Sequence, residues 1–241
     1  MTAVLSVERL TKHYGQRAAL CELSFTLGAG ELVIVAGANG AGKTTCLSLI
    51  SGQLVPDSGR ILVDGHDLQT KPLAARRALS YVAQDLILPP LLSVKELAEF
   101  SCQVKGQRLD RQLFDDLAAA FGLTEHRDRL VGELSHGMQR KAAWTIALLT
   151  DPKLLIVDEG LAGLDAASAS ALIERVRRVK ADGIAIIWVE HDLQRLAPIS
   201  DRLLVLRAGR HTESLDSSAL LAPTEQLERL MRRITGSLEA T

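Results

Sequence analysis

From Val4 to Leu10, and again from Ala19 to Leu27, the chain carries the alternating or continuously apolar positions of β-strands, with Tyr14 and Gly15 in the turn between them. A third apolar run follows Glu31 and breaks off into a glycine-rich turn. A helix then runs from Thr44 to about Gly52. Pro56, Asp57, Ser58 and Gly59 make the next turn, Ile61–Val63 is a strand entering a hairpin at Asp64-Gly65, and Ala78–Ala83 is a strand with Gln84 at its end. Ser93-Val-Lys-Glu96, just after Pro89 and Pro90, is a capping box that opens a helix. From there to Thr150 leucine and alanine recur at helical spacing, with Leu113, Leu117, Ala120 and Phe121 on one face. Lys153–Val157 and Ile184–Val189 are buried strands separated by an amphipathic helix bearing Leu172, Ile173, Val176 and Val179. Arg202–Leu206 is a further strand closed by Ala208-Gly209, and beyond Pro223 a terminal helix carries Leu227, Leu230, Met231 and Ile234 on one side. The pattern predicts a single α/β domain over residues 1–241, with an N-terminal β portion and a helical subdomain at about 90–150 inserted into the α/β core.

Composition narrows the class. With 241 residues, 47% of them hydrophobic, the chain has material for one large core. The balance of 28 Lys+Arg against 29 Asp+Glu, with 3% aromatic residues, disfavours a nucleic-acid partner. Cys21, Cys46 and Cys102 are widely spaced, without a C-x-x-C, and read as reduced packing residues. Met1–Leu10 lacks the basic-then-apolar order of a leader, and no apolar run approaches the roughly 18 residues needed to span a bilayer, so any membrane role requires another chain.

The glycine-rich turn carries the strongest chemistry. Gly37-Ala38-Asn39-Gly40-Ala41-Gly42-Lys43-Thr44 fits G-x-x-x-x-G-K-[ST], and Thr45 follows. In that motif glycines let backbone N–H groups curl around phosphates, the lysine reaches the terminal phosphates and the hydroxyl ligates Mg²⁺. The helix behind it aims its positive end at the same phosphates. A Rossmann fingerprint is excluded, because Thr45 stands where the third glycine belongs. Downstream, Leu154-Leu-Ile-Val157 leads into Asp158-Glu159, a buried strand ending in two carboxylates. Alone it reads as a solvated strand end. Paired with the phosphate loop it suits Mg²⁺ at Asp158 and an attacking water polarised by Glu159.

With these motifs in place, the chain resembles an ATP-binding cassette (ABC) ATPase, the nucleotide-binding subunit of a transporter, over nearly its whole length. Tyr14 matches the residue that stacks on adenine, Gln84 the Q-loop, and Leu134-Ser-His-Gly-Met138-Gln139-Arg140 resembles the family signature. Gly163-Leu164-Asp165 matches the D-loop, and His191 the switch histidine. Each is weak alone: a lone tyrosine is more often core, a lone glutamine a solvated strand end, a lone histidine structural. Their order carries the resemblance.

The resemblance implies a P-loop NTPase core, ATP and Mg²⁺ as cofactors, and two copies or related subunits clamping ATP head to tail. Lys43, Gln84, Glu159 and His191 would serve catalysis, and Thr44, Gln84 and Asp158 the metal. Ser135 and Gly137, at a helix N-terminus, would face the other copy's nucleotide, and Asp165 would cross the interface. A separate membrane-spanning permease would hold the chain on the cytoplasmic face. Leu86–Leu92 would dock it, the alternative being interdomain packing. Arg229, Arg232 and Arg233 read as a solvated basic face or a headgroup contact.

Three positions, in two motifs, depart from the family pattern. His136 and Met138 replace a glycine and the glutamine of Leu-Ser-Gly-Gly-Gln, and the Ser-x-Gly-Met form resembles exporter cassettes. Gly160 stands where proline usually follows the catalytic glutamate, which predicts a looser turn and a Gly160→Pro variant with preserved or raised turnover. The readings from sequence are thus a transport ATPase, export before import. The alternatives are a non-transport mechanoenzyme of the same class, or a regulator that hydrolyses ATP weakly.

Overall fold

The computed structural model describes residues 3–190, 192–216, 218, 221, 229, 232 and 234. An N-terminal hairpin of β1 (Leu5–Tyr14) and β2 (Arg17–Leu27) pairs antiparallel with β4 (Ser58–Val63), which turns into the short β5 (His66–Asp67). The Asp64-Gly65 turn joining β4 and β5 has positive φ at both residues, 48° and 73°, as the tight hairpin requires. This sheet has the order β2-β1-β4-β5.

The second sheet contains β3 (Leu32–Ala36), β6 (Leu79–Val82), β7 (Leu154–Asp158), β8 (Ala185–Val189), β9 (Arg202–Arg207) and β10 (Arg210–Asp216), in the order β10-β9-β3-β8-β7-β6. All its pairings are parallel except β9 with β10. β3, β7 and β8 are buried at every position, as strands covered on both faces must be. Successive residues serve opposite cores: Leu32, Ile34 and Ala36 pack on the helical side, Val33 and Val35 toward α1 (Lys43–Ile50) and the antiparallel sheet.

Between β6 and β7 the chain forms α3 (Val94–Val104), α4 (Arg111–Ala120) and α5 (His136–Leu149). Ser93 caps α3 through the predicted capping box, with both reciprocal hydrogen bonds present. The described residues also form α2 (Pro72–Arg77), α6 (Ala166–Ala181) and α7 (Leu193–Leu196). Cys46 and Cys102 are buried and Cys21 is half-buried, all three free.

Three elements differ from the sequence expectation. β1 runs on to Tyr14 because the polar Thr11–His13 stretch is held by its hairpin partner. β10 escapes the apolar pattern because it is an exposed edge strand, Arg-His-Thr-Glu-Ser-Leu-Asp. Short α2 begins at Pro72 and buries only Ala75. Leu227, Leu230, Met231 and Arg233 of the expected terminal helix lie outside the described residues, while Ile234 is buried in the helical-side core.

Candidate functional site

Gly37 leaves the C-terminal end of β3, Gln84 follows β6, and Asp158-Glu159 ends β7, so the motifs converge at the carboxyl edge of the parallel sheet. Tyr14, Asn39, Gly40, Gly42, Lys43, Thr44, Thr45, Gln84 and Glu159 line one open cleft of ≈ 540 Å³. Tyr14, at the tip of the first hairpin, is 52% exposed and free to present its ring there.

The loop geometry explains the glycines. Gly42 has φ 103°, and a Cβ there would lie 2.5 Å from the Ala19 carbonyl oxygen. At Gly37 a Cβ would collide with the Leu206 carbonyl. Lys43 Nζ donates to the Gly37 and Ala38 carbonyl oxygens at 2.7 and 3.1 Å, curling the loop around its own side chain. Desolvation lowers the Lys43 pKa, while the Asp158 and Glu159 charges pull it back up.

Asp158 is 1% exposed, and neither carboxylate oxygen makes a hydrogen bond of good geometry among the described residues. Burial raises its pKa first and the Glu159 charge second, against Thr44's nearby hydroxyl and Lys43, which lower it. A buried carboxylate with orphaned oxygens beside a threonine hydroxyl is a donor set suited to a hard cation. Mg²⁺ therefore fits Asp158 and Thr44.

Glu159 adopts φ +51°, a left-handed conformation rare for a residue with a side chain. Its turn is tied down: Glu159 N donates to Val189 O at 2.8 Å, Leu161 N to Glu190 Oε2 at 3.2 Å, and Trp144 Nε1 to Gly160 O at 2.9 Å. The expectation that Gly160 loosens this turn is corrected here. A Cβ at Gly160 would lie 2.6 Å from Trp144 Cζ2 and collide with Val157 Cγ1. Proline would also disfavour the left-handed backbone of Glu159 before it. Gly160→Pro is thus expected to lower stability and turnover.

Ser135, Gly137 and Asp165 are not brought to this cleft. Ser135 Oγ caps α5 by accepting from Met138 N at 3.3 Å, and Asp165 caps α6 by accepting from Ser168 N at 2.8 Å. The two Ser168 hydrogen bonds, helped by Lys141, hold the Asp165 carboxyl down at about 2. A Cβ at Gly137 would stand 2.9 Å from Gly163 O, so the signature and D-loop turns lie against each other. His191 lies outside the described residues.

Sequence reading missed Arg17, which lines the cleft beside Gly40, and Arg140. Arg140 is buried and donates to the carbonyl oxygens of Ala83 and Gln84 at 2.6 and 2.7 Å, bracing the Gln84 loop from α5. A charged residue on the buried stripe of a helix was the available signal.

Fold and loop together define a P-loop nucleotide-binding domain. The ABC transporter family model matches residues 20–162, and the chain belongs to that family as an ATP-binding domain. It is 33% identical to the ribose import ATP-binding protein RbsA of Pseudomonas putida, over 95% of this chain and 46% of the relative. It is 28% identical to the lipopolysaccharide export system ATP-binding protein LptB of Haemophilus influenzae, over 86% of this chain and 88% of the relative. The solved ATP-binding subunit of an ABC transporter superposes with TM-score 0.84 at 28% identity, covering 99% of this chain and 95% of that one. The chain thus spans about half the length of RbsA and most of LptB.

Proposed function

We propose that this chain hydrolyses ATP to ADP and phosphate as the motor subunit of a transporter whose membrane-spanning part is a separate chain. The observation that carries this reading is the buried, unpartnered Asp158 carboxylate set beside Lys43, Thr44 and Glu159 at the mouth of the glycine loop. In it the loop backbone and Lys43 hold the phosphates, and Tyr14 stacks on the base. Thr44, Asp158 and Gln84 would hold Mg²⁺, which neutralises phosphate charge when bound. Glu159 orients and polarises the attacking water, and His191 donates to the terminal phosphate.

Ser135 and Gly137 complete the site of a second copy, with Asp165 at the interface between copies. Their exclusion from the chain's own cleft supports that assignment. No helix among the described residues is long and apolar enough to cross a membrane, and the proposed place is the cytoplasmic face, held by the permease.

Docking is assigned to the loop after Gln84. Ile87 and Leu91 are 94% and 81% exposed, whereas Leu88 and Leu92 pack against the core. Ile87 borders an apolar groove of ≈ 480 Å³ that also takes in Phe100 and Val104 from α3. Export is the proposed direction, on the Ser135-His136-Gly137-Met138 run. The test is Mg²⁺-dependent ATP turnover by the chain reconstituted with its co-purified membrane partner. Absence of turnover in that complex refutes the motor reading.

A further inference from the structure

Gly160 lacks the proline that the family pattern leads one to expect, and the structure shows what occupies the space. Trp144 of α5 and Trp188 of β8 pack with ring centroids 5.2 Å apart and planes at 42°, both fully buried. A Cβ at Gly160 would lie 2.6 Å from Trp144 Cζ2 and 3.2 Å from Trp188 Cζ2. Trp188 Nε1 has no partner among the described residues, so the pair's hydrogen bond to this turn is Trp144's alone, to Gly160 O.

We propose that Trp144 is a positioning residue for ATP hydrolysis. Its indole takes the place of a rigid residue at 160 by filling the space beside the turn and holding the Gly160 carbonyl. The neighbouring Glu159 is thereby kept in its left-handed backbone conformation. A sparsely populated conformation persists only where its surroundings over-determine it. Here the ends of the turn are tied to β8 and the segment after it, Ala162 N closes it by donating to Glu159 O at 3.2 Å, and the side chain that reaches the Gly160 carbonyl is Trp144.

The helix supplying that tie is well placed. Arg140, one turn before Trp144 on the same face of α5, holds the carbonyls of Ala83 and Gln84. One helix therefore sets the backbone on both sides of the cleft, at Gln84 and at Glu159-Gly160. That helix begins at Ser135, the residue assigned to the second copy's nucleotide. Engagement of the second copy would reach Glu159 through Trp144.

The inference rests on the ATPase reading, and the experiment separates the two. Trp144→Phe keeps an aromatic ring and removes the donor, and benzothienylalanine at 144 exchanges only the indole N–H for sulfur should phenylalanine disturb folding. The expected result is a kcat about tenfold lower, the order that a small misplacement of a reacting group produces. KM for ATP should stay within about twofold, because the loop and Tyr14 are untouched. A wild-type kcat in both variants, or a loss confined to KM, overturns the proposal.

A melting-temperature cycle with Gly160→Ala stands even without turnover. The alanine should destabilise the protein that keeps Trp144 and cost measurably less in the Trp144→Phe background. Equal cost in both backgrounds overturns the proposal by itself. Absence of turnover in the wild type with a positive cycle refutes the motor reading and leaves the Trp144 brace standing.

Discussion

Asp158→Asn should make the metal-free protein more stable while weakening its hold on Mg²⁺·ATP. The side chain is 1% exposed, its carboxylate oxygens are orphaned, and its pKa is raised by burial and by Glu159. Leaving a buried polar group unsatisfied costs about 1–3 kcal/mol, and more when it is charged. Lys43 offsets part of this, and asparagine leaves an unpaired amide of its own, so the net gain should be ~1–2 kcal/mol. For a chain of this size that is about 2–8 °C in melting temperature.

The pH dependence fixes the sign. A carboxylate whose folded pKa lies above its unfolded value favours the folded state most below the unfolded pKa of about 4. That contribution is lost as pH rises through the folded value. The variant's advantage should therefore be smallest below about pH 4 and grow as pH rises through the raised folded value. Thermal melts in EDTA across that range read this directly, and added Mg²⁺·ATP should raise the wild type more than the variant. A variant that melts at or below wild type at the alkaline end in EDTA refutes the claim that the buried Asp158 carboxylate costs stability in the absence of a cation.

Two other outcomes follow from the geometry. Lys43→Ala removes the cation that curls the loop and should weaken ATP binding at least about tenfold by titration calorimetry, an amount in line with a hydrogen bond to a charged group. Unchanged affinity would refute its phosphate role. Ile87→Asp places a charge on a side chain that is already 94% exposed, so the melting temperature should move by less than about 1 °C. Co-purification with the membrane partner should be lost, and its retention would move the docking site elsewhere.

Most of the fold was legible because its signals are local. Unbroken apolar runs gave β3, β7 and β8, and the Ser93–Glu96 capping box gave the start of α3. β10 was hidden because an edge strand needs no apolar alternation, and its identity comes from pairing with β9. In the site, the glycine loop and the Asp158-Glu159 pair could be read directly, since spacing along one strand or turn is the chemistry. Arg140 and Trp144 could not, because their partners lie 56 and 16 residues away along the chain. Gly160 shows the cost of reading a position alone. Glycine suggests freedom in a sequence, yet here it is the only residue small enough to sit against two tryptophans.

In the proposed function, Glu159 drives hydrolysis in a site completed by a second copy. Glu159→Gln keeps the side chain's shape and removes its ability to polarise water. Mixed with Mg²⁺·ATP and followed by size-exclusion chromatography with bound nucleotide assayed, the variant should run as a stable dimer retaining unhydrolysed ATP, two molecules per dimer. A variant that turns ATP over at the wild-type rate, or binds ATP fully as a monomer, would contradict the account.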